Sequence, residues 1–260
     1  GGLPGLQHTL ERKGGRGDEP YIFHFPDGNA SVARLLVRKL IPESLPGSTM
    51  EDSVMARLDY TKLDRDGADM KIRLNSTAVN AQHTADGRSV DVTYVHNGDA
   101  HTVRAKHCVM ACYNSAIPYI CADLPEEQRE GLAYNVKIPL TYTKVMIPHW
   151  RWFADLGIRY VFYTNDFYKQ VELDYPVSLG NYQFGSSPDE PMVLHMCYVP
   201  YFDDIQGPEQ WRAGRRNILE TPISTVEHHV RDQRDQALSG AGSDAERDNK
   251  GLTEKRWAHG

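Results

Sequence analysis

Residues 72–114 read IRLNSTAVNAQHTADGRSVDVTYVHNGDAHTVRAKHCVMACYN. Just before and into this stretch, Met70, Ile72 and Leu74 alternate with Lys71, Arg73 and Asn75. That period of two predicts a strand with one apolar face. After Ala85-Asp-Gly87 the alternation resumes at Val90, Val92 and Tyr94, and Asn97-Gly98 follows. Asn-Gly suits a two-residue hairpin turn, because both central residues of that turn need positive φ. The return strand carries His101, Val103 and Ala105 and runs into Cys108-Val-Met-Ala-Cys112, an unbroken apolar run. A hairpin that feeds a short, wholly apolar strand predicts a mixed α/β protein in which the chain re-enters the centre of a sheet.

Upstream, residues 21–40 read YIFHFPDGNASVARLLVRKL. An aromatic, strand-like run meets a Pro-Asp-Gly-Asn turn. Val32, Leu35, Leu36 and Leu40 then share one helical stripe, and Asp27 or Asn29 stands where a cap belongs. The helix is expected to stop before Pro42. A phosphate cradle at a helix start needs several approachable N–H groups, usually in a glycine-rich turn. This turn has one glycine, Gly28, so it reads as a capped helix start. The sequence has no G-x-G-x-x-G after a strand, no G-x-x-x-x-G-K-[ST] and no G-x-S-x-G.

Downstream, a short helix is expected over 124–134, with Pro at its start and acids in its first turn. From residue 136 the character changes. Strands are predicted over 140–147, 159–163, 191–199 and 252–257, and helices over 209–219 and 223–238. This describes a second domain on a mixed or antiparallel sheet. In the last helix, Val226, Val230 and Leu238 are expected to face inward, and His228, His229, Arg231, Asp232, Arg234 and Asp235 outward. The expected division is a flexible loop over 1–19, a first region over 20–135, a second domain over 136–245, and a return to the first over 246–260.

The 260 residues are 40% hydrophobic with a net charge of −6, which argues against a nucleic-acid partner. No apolar run approaches the ~20 residues that span a bilayer. Cys108, Cys112, Cys121 and Cys197 form no C-x-x-C pair and no zinc spacing, and are read as mostly buried thiols. The compartment stays open between periplasm and cytoplasm. His228 and His229 are neighbours in a helix and diverge by roughly 100°, a poor geometry for one metal. Asp203-Asp204 after a strand reads either as an acid–base pair or as a loop. Trp150, Trp152, Tyr160, Phe162 and Tyr163 read equally as cavity lining or as core.

Several segments together resemble the FAD-dependent amine oxidase superfamily. The middle one is Ile72-Arg-Leu-Asn-Ser-Thr-Ala-Val79, the hairpin, and Ala105-Lys-His-Cys-Val-Met-Ala-Cys-Tyr-Asn114. The phrases YIFHFPDGNASVARLLVRKLIP, RLNSTAV, VMACYN, PEQWRAGRRNILETPIS and EHHVRDQ are similar to the bacterial spermidine dehydrogenase group within it. The resemblance implies a partial Rossmann-like FAD-binding region beside a substrate domain. It implies backbone contact of Val79 with the adenine end of FAD, and proximity of Ala111, Cys112 and Asn114 to the cofactor. It places Phe25, Asp27, Gly28 and Asn29 on a helix-launching turn near the flavin region, and Trp257 as an aromatic beside the cofactor. Ala258 stands where family members usually have Pro. Tyr201, Asp203 and Asp204 are the expected substrate contacts. Some members of the group also carry haem, for which no motif is placed here.

The implied chemistry is oxidation of the C–N bond of a small amine, with spermidine or another polyamine as the substrate class, by hydride transfer to flavin. The electron acceptor is not implied. The chain lacks the family's glycine-rich N-terminal unit and its C-terminal FAD motif, and starts without Met, so an internal piece of a longer protein is expected. Two other readings stay open. One is a binding or structural protein on the same fold without catalysis. The other is an FAD oxidoreductase with another substrate, such as a carotenoid.

Overall fold

The structure is a computed structural model and describes residues 24–164, 166–175 and 177–258. The expected loop over 1–19, the aromatic run at 21–23, and His259 with Gly260 lie outside the described residues. Helices α1 (Ala30–Leu40) and α2 (Asp52–Met55) precede strands β1 (Ser76–His83), β2 (Val90–His96) and β3 (Asp99–Ala105). Helices α3 (Ile117–Ile120) and α4 (Glu126–Tyr134) lead to β4 (Leu140–Ile147), α5 (Arg151–Leu156), β5 (Tyr160–Phe162), β6 (Gln170–Leu173) and β7 (Met192–Tyr198). Helices α6 (Pro208–Glu220), α7 (Ile223–Leu238) and α8 (Ala245–Asp248) precede β8 (Gly251–Trp257). The fold is mixed α and β, and both sheets are antiparallel. Contacts divide the chain into two compact units, one of residues 1–58 with 137–260 and the other of residues 59–136.

In the smaller unit, β1, β2 and β3 form a three-stranded meander. Asn97 at φ 52° and Gly98 at φ 91° make the tight turn their sequence predicts. Arg104 clasps Asp91 across the hairpin with two hydrogen bonds, at 2.7 and 2.8 Å. Strand β1 begins at Ser76, later than the alternation of Met70, Ile72 and Leu74 predicts. Asn75 at φ 51° breaks the extended backbone just before it. The residues ahead of that break are held differently. Ile72 N–H donates to the Leu63 carbonyl at 2.7 Å, and Arg73 binds the Asp64 carboxylate at 2.7 Å.

The expectation of a buried strand over 108–112 is corrected. The segment is irregular, and Val109 is 86% exposed. A fully apolar strand needs neighbours on both edges and cover on both faces, and no described strand pairs with this one. The reading of the cysteines changes with it. Cys108 and Cys112 are exposed, Cys197 is half-buried and Cys121 is buried.

The larger unit is built on a five-stranded sheet of order β5-β6-β7-β4-β8. One face carries Val145, Ile147, Val171, Leu173, Leu194 and Met196, all buried. They belong to one core cluster with Trp152 and Phe153 of α5 and Val226, Val230 and Leu238 of α7. Trp150 and Trp152 are core, which decides between their two sequence readings. Gln233 of α7 brackets the Tyr168 backbone, accepting from its N–H at 2.7 Å and donating to its carbonyl at 2.9 Å. Arg234, expected outward, is fully buried. Its guanidinium lies over the Trp152 ring at 5.2 Å, donates to Ser243 Oγ at 2.9 Å and Asn249 Oδ1, and pairs with Asp248 at 3.7 Å. The segment after α7, from Ser243 through α8 to Asn249, folds back and supplies the polar partners. Helix α1 departs from its sequence reading too. Val32, Leu36 and Leu40 are exposed, and Ser31 is the buried residue. No described helix is long and apolar enough to cross a membrane.

Candidate functional site

The face of the five-stranded sheet opposite the core carries the chemistry. A pleated strand sends alternate side chains to opposite sides. Val145, Leu194 and Val171 fill the core, so Lys144, His195 and Glu172 project to the other face. Register brings them into one row, with His195 opposite Lys144 on β4 and opposite Glu172 on β6, and Tyr160 of β5 opposite Glu172. A second row holds Phe162, Gln170, Cys197 and Tyr142.

The Lys144 ammonium pairs with the Asp174 carboxylate at 3.0 Å. Glu172 accepts a hydrogen bond from the Gln170 amide at 3.2 Å. The Tyr142 ring meets the His195 imidazole edge-on at 4.7 Å, and Tyr160 meets Phe162 edge-on at 5.0 Å. His195 Nδ1 is buried without a hydrogen-bond partner. Burial pushes the His195 pKa down to about 4, and the nearby Lys144 charge adds to this. Burial also pushes Glu172 above the usual carboxylate range, against the opposing pull of Arg159. A neutral imidazole and a desolvated carboxylate thus sit side by side among aromatic rings. Perturbed titrating groups gathered in this way mark a functional-site candidate. Among the described residues, no group of His, Cys, Asp and Glu is arranged to hold a metal ion.

The residues singled out in the sequence fall in both units. Val79, Ala111, Cys112 and Asn114 are in the smaller one and are all exposed. Val79 sits at a bulge in β1, where the pairing with β2 shifts between Ala78 and Asn80, so Val79 has no partner across that ladder. Strand β1 is also an edge strand of its sheet. Gly28, Asn29, Trp257, Tyr201, Asp203 and Asp204 are in the larger unit. Tyr201, Asp203 and Asp204 lie together and exposed on the loop between β7 and α6. Gln210 ties that loop down by bonding the Phe202 N–H at 3.0 Å and the Phe202 carbonyl at 2.6 Å. Trp257 is half-exposed at the end of β8, opposite Leu140.

Sequence reading named Tyr160 and Phe162 but missed Glu172, His195, Lys144 and Asp174. Part of that signal was present as polar side chains two apart, Gln170 and Glu172 in one strand, His195 and Cys197 in another, and Tyr142 and Lys144 in a third.

Neither a protein-family model nor a curated protein matches the chain. Among solved structures, a putrescine oxidase variant aligns at 14% identity and a TM-score of 0.49, covering 72% of this chain and 35% of that one. Wild-type putrescine oxidase bound to putrescine gives 14% and 0.46 at the same coverage. Cyclohexylamine oxidase from Brevibacterium oxydans gives 14% and 0.43, covering 69% of this chain and 33% of that one. The chain spans about a third of the length of these structures.

The described residues fit FAD only in part. The bulged edge at Val79 leaves backbone groups available to an adenine ring. The start of α1 does not fit a pyrophosphate. Asp27 occupies that end, accepting from Ser31 Oγ at 2.6 Å and pairing with Arg34, and a carboxylate there repels an anion. Gly28 has φ 67°, and a Cβ added to it would meet nothing within 4 Å, so it forms no close cradle. Asn29 makes no side-chain cap bond.

Proposed function

We propose that the chain is part of a flavin-dependent oxidoreductase that oxidises the C–N bond of a small amine, with polyamines such as spermidine as the substrate class. The observation that carries this is the bulge at Val79. It lies within the segment whose sequence resembles the amine oxidase superfamily, at the residue that the resemblance assigns to the adenine end of FAD. The uncovered run at 108–112 supports the same reading, because the resemblance puts cofactor beside Ala111, Cys112 and Asn114. On this reading the larger unit handles substrate. Its sheet face offers a carboxylate, a neutral imidazole and aromatic rings, which suit an amine better than an apolar polyene.

The test is the complete gene product, purified and examined for flavin absorbance and for oxidation of spermidine, putrescine and a carotenoid. Bound flavin with polyamine turnover is the expected result. Absence of flavin together with no amine turnover defeats the proposal, and turnover of the carotenoid alone would reassign the substrate.

A further inference from the structure

We infer that the open sheet face at Glu172 and His195 seats an alkylammonium group, the cationic head of an aliphatic mono- or diamine. This rests on the amine-oxidising reading above and adds to it the residues that recognise the substrate.

The Lys144 ammonium is bound to Asp174 at 3.0 Å. Arg159 lies over the Tyr175 ring at 4.5 Å. Glu172 has no ion-pair partner among the described residues, and its hydrogen bond comes from a neutral amide. It is the carboxylate of this row without a bound cation. A half-buried carboxylate in that position is stabilised by a cation that reaches it. His195, directly across the ladder, adds the second contact. Register puts its imidazole on the same face, its Nδ1 is buried without a hydrogen-bond partner, and a neutral imidazole keeps one nitrogen as an acceptor. An alkylammonium brings N–H donors for both. The rings of Tyr160, Phe162 and Tyr142 offer π faces for the charge and apolar surface for the alkyl chain. All these groups stand on paired strands, so the seat is held before a ligand arrives.

The experiment is calorimetric titration of the complete gene product with n-butylammonium chloride, with n-butanol as the uncharged control. Glu172→Gln should weaken n-butylammonium binding by about tenfold or more and leave n-butanol unchanged. Glu172→Asp should recover part of the loss. In the unmutated protein, n-butylammonium should shift the His195 imidazole signals in NMR spectra. Equal affinity in Glu172→Gln, or His195 signals that stay in place on saturation, would overturn the seat. A gene product that carries no flavin but binds n-butylammonium through Glu172 would defeat the functional reading alone. One that carries flavin and oxidises amines with KM unchanged in Glu172→Gln would defeat this inference alone.

Discussion

The five-stranded and three-stranded sheets are both antiparallel, yet α5 and α7 cover a face of the larger, whereas among the described residues the smaller meets only the short helix α3 against β1. In the larger unit, α5 and α7 bury Val145, Leu194 and Met196 completely. In the smaller unit the buried apolar side chains are Leu63, Ala81 and Cys121, and Val79, Val103 and Val109 are exposed. Similar alternation therefore led to opposite fates. The difference lies in whether the chain supplies a second layer, since a sheet face is stabilised only by what it is removed from water against.

The largest test of that contrast is a matched pair of truncations. Phe153→Ala, in the covered unit, should cost about 3–5 kcal/mol, because Phe153 is fully buried and its neighbours relax only partly. Val103→Ala, on the exposed strand β3, should stay within about 0.5 kcal/mol. Urea denaturation measures both. Comparable losses would mean that the hairpin face is covered in solution and that the contrast is wrong.

Next in size is Arg234→Ala, expected to cost about 3 kcal/mol by stranding the polar groups of Ser243 and Asn249. Arg247 still holds the Asp248 carboxylate at 2.7 Å and keeps its pKa down at about 2. Asp248 therefore stays charged and paired, and Arg234→Met, which fills the same space, should cost less than the alanine. A methionine variant as damaged as the alanine one would show that charge, not packing, is the main contribution of Arg234.

These outcomes bear on how far residues alone reveal such a molecule. The hairpin was legible because Asn97-Gly98 encodes its own backbone geometry. Strands β4 and β7 and helix α7 were legible because their periods are strong. The run at 108–112 misled because an apolar strand is a promise of partners, and local sequence does not say whether they come. Arg234 misled because its polar partners, Ser243, Asp248 and Asn249, arrive from the segment around α8, which the periodicity of α7 does not see. The open sheet face was the least legible part. Lys144, Glu172 and His195 come from three strands, and each is unremarkable alone. Only the register of β4, β6 and β7 makes them one row.

That row predicts a pH dependence of the larger unit's stability. His195 titrates near 6.5 when unfolded and at about 4 when folded. Between those values the unfolded chain binds the extra proton, so stability should fall as pH drops from about 6.5 to 4. The loss should be about 1–2 kcal/mol once residual solvent contact is allowed for. Glu172, raised by burial, works the other way, because the folded state holds its proton more tightly. It should offset part of the fall at the acid end. Lys144, Asp174, Tyr142 and Cys197 face the same row, and Arg159 acts on Glu172. His195→Asn should flatten the slope in denaturation curves taken across this range. An unchanged slope would place the titrating group elsewhere.

The smallest effect separates the units most directly. Gly98 turns the hairpin at φ 91°, and Gly157 ends α5 at φ 66°. A Cβ added at either meets nothing within 4 Å, so alanine at both positions costs only the backbone strain of positive φ, about 1 kcal/mol. If the units open independently, each cost stays local. Gly98→Ala should then speed amide exchange of Val92 and Thr102 about fivefold and leave Val145 and Met196 unchanged, whereas Gly157→Ala should do the reverse. Were Gly98→Ala to accelerate Val145 as much as Val92, the hairpin would share its stability with the five-stranded sheet. The exposed faces of β1 to β3 would then have to be reread as part of one cooperative structure.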